Sequence, residues 1–218
     1  MTLPADDQSK TSRRPLATRG NPLVQSGVAW LLKTNITPNQ ISLLSIIVAC
    51  IGALALLHAP QQALFYVITA LCVQLRLLCN LLDGMVAVEG GRGTPVGTLY
   101  NEIPDRVADS LFLVAWGYAC GFGWLGWATA LAAAVTAYIR VLGGAAGQAQ
   151  DFRGPMAKQH RMAALTVVCV LAMLETWLRG HSAILGIGLW VVLIGSIWTC
   201  VERTREIAKK LEESSSQK

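Results

Sequence analysis

The stretch NLLDGMVAVEGGRGTPVGTLYNEIPDRVAD, residues 80–109, decides how the rest of the chain is interpreted. It lies between two long apolar stretches, and it contains five acidic residues: Asp83, Glu89, Glu102, Asp105 and Asp109. Ionisable groups are costly at membrane depth, so acids at the ends of apolar helices are candidates for a functional site. The alternative is that they lie in a solvated loop or near a helix N-terminus, where the helix dipole favours acidic side chains.

The composition indicates a polytopic membrane protein with a single domain. The 218 residues are 53% hydrophobic and 14% charged, whereas a soluble domain usually has about 25% charged residues. The mean hydropathy is +0.47. The net charge of +5 is explained by Lys and Arg on the cytoplasmic side of a bilayer, so no nucleic-acid partner is predicted. The six cysteines form no CxxC pair and are expected to be buried, without disulfides or zinc.

Six apolar stretches have lengths near the roughly 20 residues that a spanning helix needs. Their predicted limits are 39–58, 62–82, 98–120, 123–146, 162–178 and 182–201. A short amphipathic helix within residues 21–35 is expected to lie along the membrane surface. Thr37 is predicted to cap the first spanning helix, with Pro38 at its first position. The predicted fold class is therefore all-α integral membrane, with six transmembrane helices preceded by a short interfacial helix.

Basic residues set the expected orientation. The short breaks between spans hold a single Lys or Arg, Arg179, whereas the long polar breaks at 83–97 and 147–161 and both tails hold many. The positive-inside rule therefore predicts a multi-pass protein of the cell inner (plasma) membrane, with both termini and the active site facing the cytoplasm. We expect a disordered tail over 1–20, a six-helix membrane domain over 21–203, and a charged cytoplasmic tail over 204–218. No cleavable signal peptide is expected.

Oxygen-bearing side chains recur at helical spacing on both sides of the first polar break. Asn80 and Asp83 are three residues apart, and Asn101, Asp105 and Asp109 follow one another at intervals of four. Those spacings place side chains on one face of a helix. Two helix ends are therefore expected to present oxygen ligands across a cleft. Hard cations such as Mg²⁺ prefer such oxygens and also bind phosphate-bearing substrates.

The same segment resembles the signature of the CDP-alcohol phosphotransferase family, D-x2-D-G-x2-A-R-x8-G-x3-D-x3-D. The chain keeps the spacing throughout and reads Asn80-x2-Asp83-Gly84-x2-Ala87-Val88-x8-Gly97-x3-Asn101-x3-Asp105. The segment ITPNQIS, residues 36–42, also looks like the one that precedes the first span in this family. The resemblance covers roughly residues 20–203.

The resemblance implies a fold, a reaction and partners. The fold is six transmembrane helices, usually in a homodimer, with a cleft that faces the cytoplasm. An alcohol or alcohol phosphate attacks the β-phosphorus of a CDP-linked donor, usually CDP-diacylglycerol, and CMP leaves. The reaction belongs to phospholipid synthesis and takes place at the surface of membrane lipid. Two divalent ions, Mg²⁺ or Mn²⁺, are expected to hold the diphosphate between the two acidic helix ends.

The resemblance also assigns roles to individual residues. The expected metal ligands are Asn80, Asp83, Asn101 and Asp105. The residues expected to leave room for the cytidine nucleotide are Gly84, Ala87 and Gly97. Asp105 ends the signature and is expected to take the proton from the alcohol. Asp109 is the second candidate for this base, because DRVAD also looks like the last D-x3-D of the signature.

The chain departs from the signature at three positions. Asn80 and Asn101 replace the first and third aspartates, and Val88 replaces the arginine. Asparagine offers an oxygen to a metal but no charge. Arg76, on about the same helix face as Asn80, and Arg92, in the loop, are candidates to replace the missing arginine at a phosphate. The alternative for Arg76 is a side chain that snorkels to the membrane interface.

The second polar break supplies further basic candidates. The resemblance implies that Arg140, Lys158 and Arg161 contact a phosphate of the donor or acceptor, because the family has basic residues at matching places. The segment AKQHRM, residues 157–162, looks like a variant of the family's G-K-x-K-T. Positive-inside topology alone would also explain Lys158 and Arg161. Two other functions stay open: a degenerate family member that binds lipid or nucleotide without turnover, and a small metal-ion carrier.

Overall fold

Seven helices and no strand occur within residues 21–216, the part of the chain that the computed structural model describes. In chain order they are α1 (Pro22–Leu32), α2 (Pro38–His58), α3 (Leu64–Glu89), α4 (Gly97–Ala119), α5 (Gly123–Ala145), α6 (Lys158–Arg179) and α7 (Ile184–Ser216). The chain is therefore an all-α protein, as predicted. The tail predicted over 1–20 lies outside the described residues.

Five of these helices, α2, α3, α5, α6 and α7, are long and apolar enough to cross a membrane. The sixth long helix, α4, has a suitable length but carries Glu102, Asp105, Arg106 and Asp109 in its first half. Length and composition therefore support a multi-pass membrane protein with five candidate spans, where the sequence predicted six.

The helix α3 is longer than the sequence predicted. It was expected to end at residue 82, before a polar break over 83–97, but it continues to Glu89 and leaves a loop of only residues 90–96. The reason is packing: Met85 and Val86 are buried against Val28 and Leu31 of α1, which favours a helical end. The second polar break is also shorter than predicted, because α6 begins at Lys158.

Local signals correctly predicted the start of α2. Thr37 is its N-cap: the Thr37 hydroxyl accepts a hydrogen bond from the backbone N–H of Gln40, and the Gln40 side chain accepts one from the backbone N–H of Thr37. Pro38 occupies the first helical turn. This reciprocal capping box satisfies two donors that a helix N-terminus otherwise leaves unpaired.

The six long helices pack in a closed ring, in the order α3, α2, α4, α5, α7, α6 and back to α3, and α1 packs on α3. The backbones of α4 and α5 approach closely, since a Cβ on Gly117 would lie 2.5 Å from the Cα of Gly126. The buried Trp116 on α4 donates a hydrogen bond of 2.9 Å to the carbonyl of Leu185 on α7. These contacts fix the positions of the helices that carry the polar residues.

Candidate active site

A cavity of about 540 Å³ opens at the end of the ring where α3 ends and α4 begins. Its size is in the range of small-molecule and cofactor sites. Most of the residues that the sequence singled out contribute to its wall: Asn80, Asp83, Gly84, Ala87, Arg92, Gly97, Asn101, Asp105, Arg140, Lys158 and Arg161. Arg76 and Asp109 are not among the lining residues and lie behind the wall.

Polar groups converge on Asp105, a buried carboxylate of α4. Its Oδ1 accepts hydrogen bonds from Asn80 Nδ2 at 2.8 Å and from Arg76 Nη2 at 3.1 Å. Its Oδ2 accepts one from the ammonium of Lys158 and lies 3.6 Å from Arg106 Nη2. Three cations and one amide therefore surround a single carboxylate, which joins α3, α4 and α6 at the cavity wall.

Asp109 lies one turn further along α4 and is closed off from the cavity. Its Oδ1 accepts a hydrogen bond from Arg76 Nη2 at 2.8 Å, and its Oδ2 accepts one from Arg161 Nη2 at 3.0 Å. Arg76 has no exposed surface, so the alternative that it snorkels to the membrane interface is wrong. Its guanidinium bridges Asp105 and Asp109 from behind. The helical spacing of Arg76 from Asn80 was the sequence signal for this position, but the carboxylate partners were missed.

Asp83 offers the feature that best fits a divalent ion. Its Oδ2 accepts a hydrogen bond of 2.6 Å from the hydroxyl of Ser42, a partner that the sequence did not predict. Its Oδ1 is buried and has no hydrogen-bond partner. A buried carboxylate oxygen without a partner is destabilising, and a hard cation supplies one.

The neighbours of Asp83 limit how such an ion would be held. Asn101 lines the same cavity and offers an amide oxygen. Among residues 21–216, no three His, Cys, Asp or Glu side chains group around a common metal position. Amide, water or substrate oxygens would therefore have to complete the coordination.

The glycines of the signature differ in what surrounds them. A Cβ built on Gly84 would meet no atom within 4 Å, so the absent side chain leaves the cavity open along α3. A Cβ on Gly97 would make only an ordinary contact with Thr94 Oγ1 at 3.5 Å. Ala87 lies one turn after Gly84 and also lines the cavity. The α3 wall therefore has room for a ligand close to the helix.

Arg140 is held at the opposite wall by several partners. Its Nη2 donates to both oxygens of Glu102, at 2.6 and 2.7 Å, and its Nη1 donates to Gln150 Oε1 at 2.6 Å. The guanidinium also lies 5.3 Å from the ring centroid of Phe152. These contacts orient Arg140, and they connect α5 to α4 and to the loop before α6.

Arg161 and Arg203 are buried basic residues on neighbouring helices. Arg161 Nη1 donates to the carbonyl of Met156 at 2.6 Å, in addition to its ion pair with Asp109. Arg203, which the sequence did not single out, donates to the carbonyls of Arg153 and Thr136, each at 2.8 Å. Both guanidinium groups line the cavity while fixing the loop over residues 146–157.

That loop is also stabilised by a local ion pair. Burial raises the pKa of the Asp151 carboxyl, whereas hydrogen bonds from the side chain and backbone of Arg153 lower it. The lowering effects together are larger, so the pKa lies below its usual range. Arg153 also pairs with Glu206 of α7 at 2.8 Å. The loop therefore lies against α7 at the edge of the cavity.

Arg92 is fixed by hydrogen bonds to backbone carbonyls at and after the end of α1. Its Nη1 donates to the carbonyls of Thr34 and Ile36, at 2.9 and 3.1 Å, and its Nη2 donates to the carbonyl of Leu32 at 3.1 Å. The last carbonyls of a helix lack partners within the helix, and Arg92 supplies one at the end of α1. Arg92 lines the cavity, but the described hydrogen bonds of its guanidinium are to α1 and the segment after it.

Sequence comparison relates the chain to bacterial membrane proteins along most of its length. No protein-family model matches it. It is 24% identical to the inner membrane protein YnbA of Escherichia coli K12, covering 85% of this chain and 90% of that protein. It is 25% identical to the phosphatidylinositol phosphate synthase of Streptomyces avermitilis, covering 86% of this chain and 79% of that enzyme.

The fold is shared with solved structures of the phosphatidylinositol phosphate synthase of Mycobacterium tuberculosis. The structure with CDP-DAG bound superposes with a TM-score of 0.71 at 22% identity, covering 86% of this chain and 94% of that chain. The structure with manganese and citrate gives 0.70, covering 84% and 88%. The sequence of the same Mycobacterium tuberculosis enzyme is 26% identical over 189 residues. The chain therefore shares the fold of this enzyme and is similar to it in sequence along most of its length. Its cavity wall has Asp83 and Asp105, with amides at Asn80 and Asn101.

Proposed function

We propose that the protein is an integral-membrane enzyme that transfers a phosphatidyl group from CDP-diacylglycerol, or a similar CDP-linked donor, to an alcohol and releases CMP. The observation that carries this proposal is the cavity in which Asp83, Asp105 and Asn80 meet basic side chains of α5 and α6. The relatives named phosphatidylinositol phosphate synthase support the same reaction class.

The residues of the cavity suit a direct displacement at phosphorus. The acceptor oxygen bonds to the β-phosphorus of the donor, the bond from that phosphorus to the CMP oxygen breaks, and CMP leaves with the electron pair. Such transfers depend mainly on positioning and on neutralised charge. Asp83 would hold a divalent ion, which would supply positive charge beside the diphosphate. The basic groups Arg140, Lys158 and Arg161 provide charge-assisted contacts for the phosphate oxygens.

We assign the general base to Asp105. A base must come within hydrogen-bond reach of the proton that it accepts. Asp105 lines the cavity, whereas Asp109 is paired with Arg76 and Arg161 behind the wall. The hydroxyl proton of the acceptor therefore passes to a carboxylate oxygen of Asp105, and Asp109 holds the two arginines in position.

The charge of the cavity favours an acceptor that carries its own phosphate. Three acidic side chains line the cavity: Asp83, Glu102 and Asp105. Six basic side chains line it: Arg92, Arg106, Arg140, Lys158, Arg161 and Arg203. A basic, partly enclosed site attracts anionic substrates. We therefore favour an alcohol phosphate such as inositol phosphate over a neutral alcohol.

The membrane arrangement is part of the same proposal. We place the cavity and both termini on the cytoplasmic side, because basic residues cluster at that end of the helices. The membrane domain spans 21–203, α4 is counted as a sixth span, and α1 lies at the interface. The charged segment over 204–218 projects into the cytoplasm, and two chains associate as a homodimer.

The proposal is tested by measuring CMP release. The purified full chain, in detergent micelles, is given CDP-diacylglycerol, Mn²⁺ or Mg²⁺, and one acceptor at a time: inositol phosphate, glycerol phosphate or serine. We expect CMP and a phosphatidyl product with at least one acceptor, and the fastest reaction with an alcohol phosphate. Reactions without an acceptor, and reactions of the Asp105→Asn variant, should remain at background.

A second candidate function is a degenerate family member that binds nucleotide or lipid without turnover. It is favoured by Asn80 and Asn101, which remove two negative charges from the signature positions. CDP binding without CMP release, for every acceptor and both metals, would support this function and contradict the transferase. A metal-ion carrier is not proposed, because Asp83 and Asp105 line a cavity at the ends of α3 and α4.

A further inference from the structure

We propose that the cavity binds one divalent ion, at Asp83, and that the ammonium of Lys158 supplies beside Asp105 the positive charge that a second ion would bring. The inference rests on the proposed function, because it concerns the charge that faces the donor diphosphate. It differs from the two-ion site that the family resemblance implies for these positions.

Both oxygens of Asp105 already have cationic or amide partners. Asn80 and Arg76 donate to Oδ1, and Lys158 donates to Oδ2 with Arg106 close by. A divalent ion on Asp105 would have to sit about 2.0–2.1 Å from a carboxylate oxygen, as Mg²⁺ does. It would then repel an ammonium and a guanidinium bonded to the same carboxylate. The positions that an ion would need at Asp105 are therefore already taken by cations and an amide.

The orientation of Asn80 also supports an ion at Asp83 and not at Asp105. A carboxylate can only accept hydrogen bonds, so the group that Asn80 directs at Asp105 is its NH₂. At the position of the first aspartate in the signature, this chain therefore uses a side chain as a donor to the neighbouring acid. Asn80 donates a hydrogen bond to Asp105 instead of adding a charge for an ion.

The charges at the signature positions also suit one ion. Asp83 and Asp105 are the two acids there, whereas the signature has four aspartates. Asp83 is 4% exposed, its Oδ2 is fixed by Ser42, and its buried Oδ1 has no partner. One carboxylate oxygen at the cavity wall therefore lacks a partner that an ion would supply.

Lys158 is placed to act on the substrate as well as on Asp105. It is the first residue of α6, and its side chain lines the cavity with 22% of its surface exposed. An ammonium has three protons, so one can bond to Asp105 while another meets a diphosphate oxygen. The charge that a second ion would contribute is thereby fixed to the protein.

The test counts bound Mn²⁺. The full chain in detergent is dialysed against Mn²⁺, alone and with CDP, and bound metal is measured per chain together with the electron paramagnetic resonance spectrum. We expect one Mn²⁺ per chain, with the six-line spectrum of an isolated ion. Two ions per chain with a magnetically coupled spectrum, or no bound ion, would overturn the inference.

Variants test whether the ammonium of Lys158 takes the place of a second divalent ion. Lys158→Met keeps the length of the side chain but removes the ammonium, so we expect the count to rise from one ion to two. Lys158→Arg keeps the positive charge and should bind one, and Asp83→Asn should bind none. A Lys158→Met protein that folds, by its elution profile and thermal midpoint, and still binds one ion would contradict the role of Lys158. If that variant does not fold, the number of Mn²⁺ ions bound by the wild-type chain decides whether the inference stands.

The CMP assay separates this inference from the proposed function. A protein that binds two Mn²⁺ and releases CMP would overturn the one-ion site and leave the transferase standing. A protein that binds one Mn²⁺ and releases no CMP with any acceptor would overturn the transferase and leave the one-ion site standing.

Discussion

Asp105 and Asp109 show how two identical side chains one helical turn apart can have different tasks. Asp105 faces the cavity, whereas Asp109 faces Arg76 and Arg161 in the packed interior. Removing the charge of each residue should therefore affect different properties of the protein.

We expect Asp105→Asn to lower kcat by about 10²–10⁴-fold, the usual contribution of a general base, with a small change in thermal midpoint. Asp109→Asn should instead destabilise the protein by about 3–5 kcal/mol, because it leaves the buried guanidinium of Arg161 without a carboxylate and leaves Arg76 with Asp105 alone. CMP release and thermal unfolding in detergent measure the two effects. An Asp109→Asn protein of normal stability with a loss of kcat equal to that of Asp105→Asn would contradict this division.

Asn101 tests whether the cavity has room for another charged ligand. Asn101→Asp adds a carboxylate to the cavity that Asp83 also lines, so we expect tighter Mn²⁺ binding with activity retained or raised. Asn39→Asp is the matched control, since Asn39 also lines the cavity but lies on α2. Titration of both variants with Mn²⁺ provides the comparison. Equal affinity in the two variants would show that Asn101 is not near the ion.

The helix ends show which features a single sequence can predict. The start of α2 depends on Thr37, Pro38 and Gln40, which are adjacent in the chain, and it was predicted. The end of α3 depends on α1 covering Met85 and Val86, a contact that no local pattern reveals. The prediction therefore ended α3 at residue 82, where Asp83 and a glycine begin a polar stretch.

The same difference between local signals and contacts of distant segments applies to the site. The signature spacing predicted which residues gather at the cavity, because that spacing is local to α3 and α4. It did not predict their partners, because Arg76 lies 33 residues before Asp109, and Arg161 lies 52 residues after it. Ser42, the partner of Asp83, lies 41 residues away on α2. Such pairings depend on the arrangement of the whole ring.

Two helical glycines should respond differently to the same substitution. Gly117→Ala puts a methyl group against the backbone of Gly126, and overpacking of this kind costs about 1–3 kcal/mol. Gly84→Ala points into open cavity space, so it should preserve stability and raise the KM for the CDP-linked donor. Thermal midpoints and KM values for both variants measure the effects. A normal midpoint for Gly117→Ala would show that α4 and α5 can separate without loss.

The hydrogen bonds from Arg92 to the end of α1 can also be tested by substitution. Arg92→Ala removes three hydrogen bonds to carbonyls at and after the end of α1. We therefore expect faster amide hydrogen exchange over residues 22–36, measured by mass spectrometry. Arg179→Ala, at an exposed side chain outside the cavity wall, is the control and should leave this region unchanged. Unchanged exchange in Arg92→Ala would mean that packing on α3 alone holds α1.

At the scale of the whole molecule, α7 indicates how the chain sits in the bilayer. Its 33 residues correspond to about 50 Å at 1.5 Å per residue, longer than a hydrocarbon core of about 30 Å. Arg203 contacts the cavity loop, so the charged end of α7 projects on the cavity side. Together with positive-inside bias, this predicts that the C-terminus lies in the cytoplasm.

Reporter fusions test that orientation. Green fluorescent protein fused after Lys218 should fluoresce, and alkaline phosphatase fused there should be inactive. Alkaline phosphatase fused at His181, between α6 and α7, should be active because the proposed orientation puts that loop on the other side of the membrane. The reverse pattern of activities would place the cavity outside the cytoplasm.

The buried ion pairs of α4 have a consequence for how the protein is made. Each charged residue near the middle of a helix disfavours translocon insertion by about 2.5–3.5 kcal/mol, and α4 carries four charged residues. Arg161, which neutralises Asp109, is synthesised 52 residues later. With α4 as the proposed sixth span, we therefore expect it to remain near the translocon until α6 leaves the ribosome, and a nascent chain that ends before Arg161 should fail to integrate this helix stably.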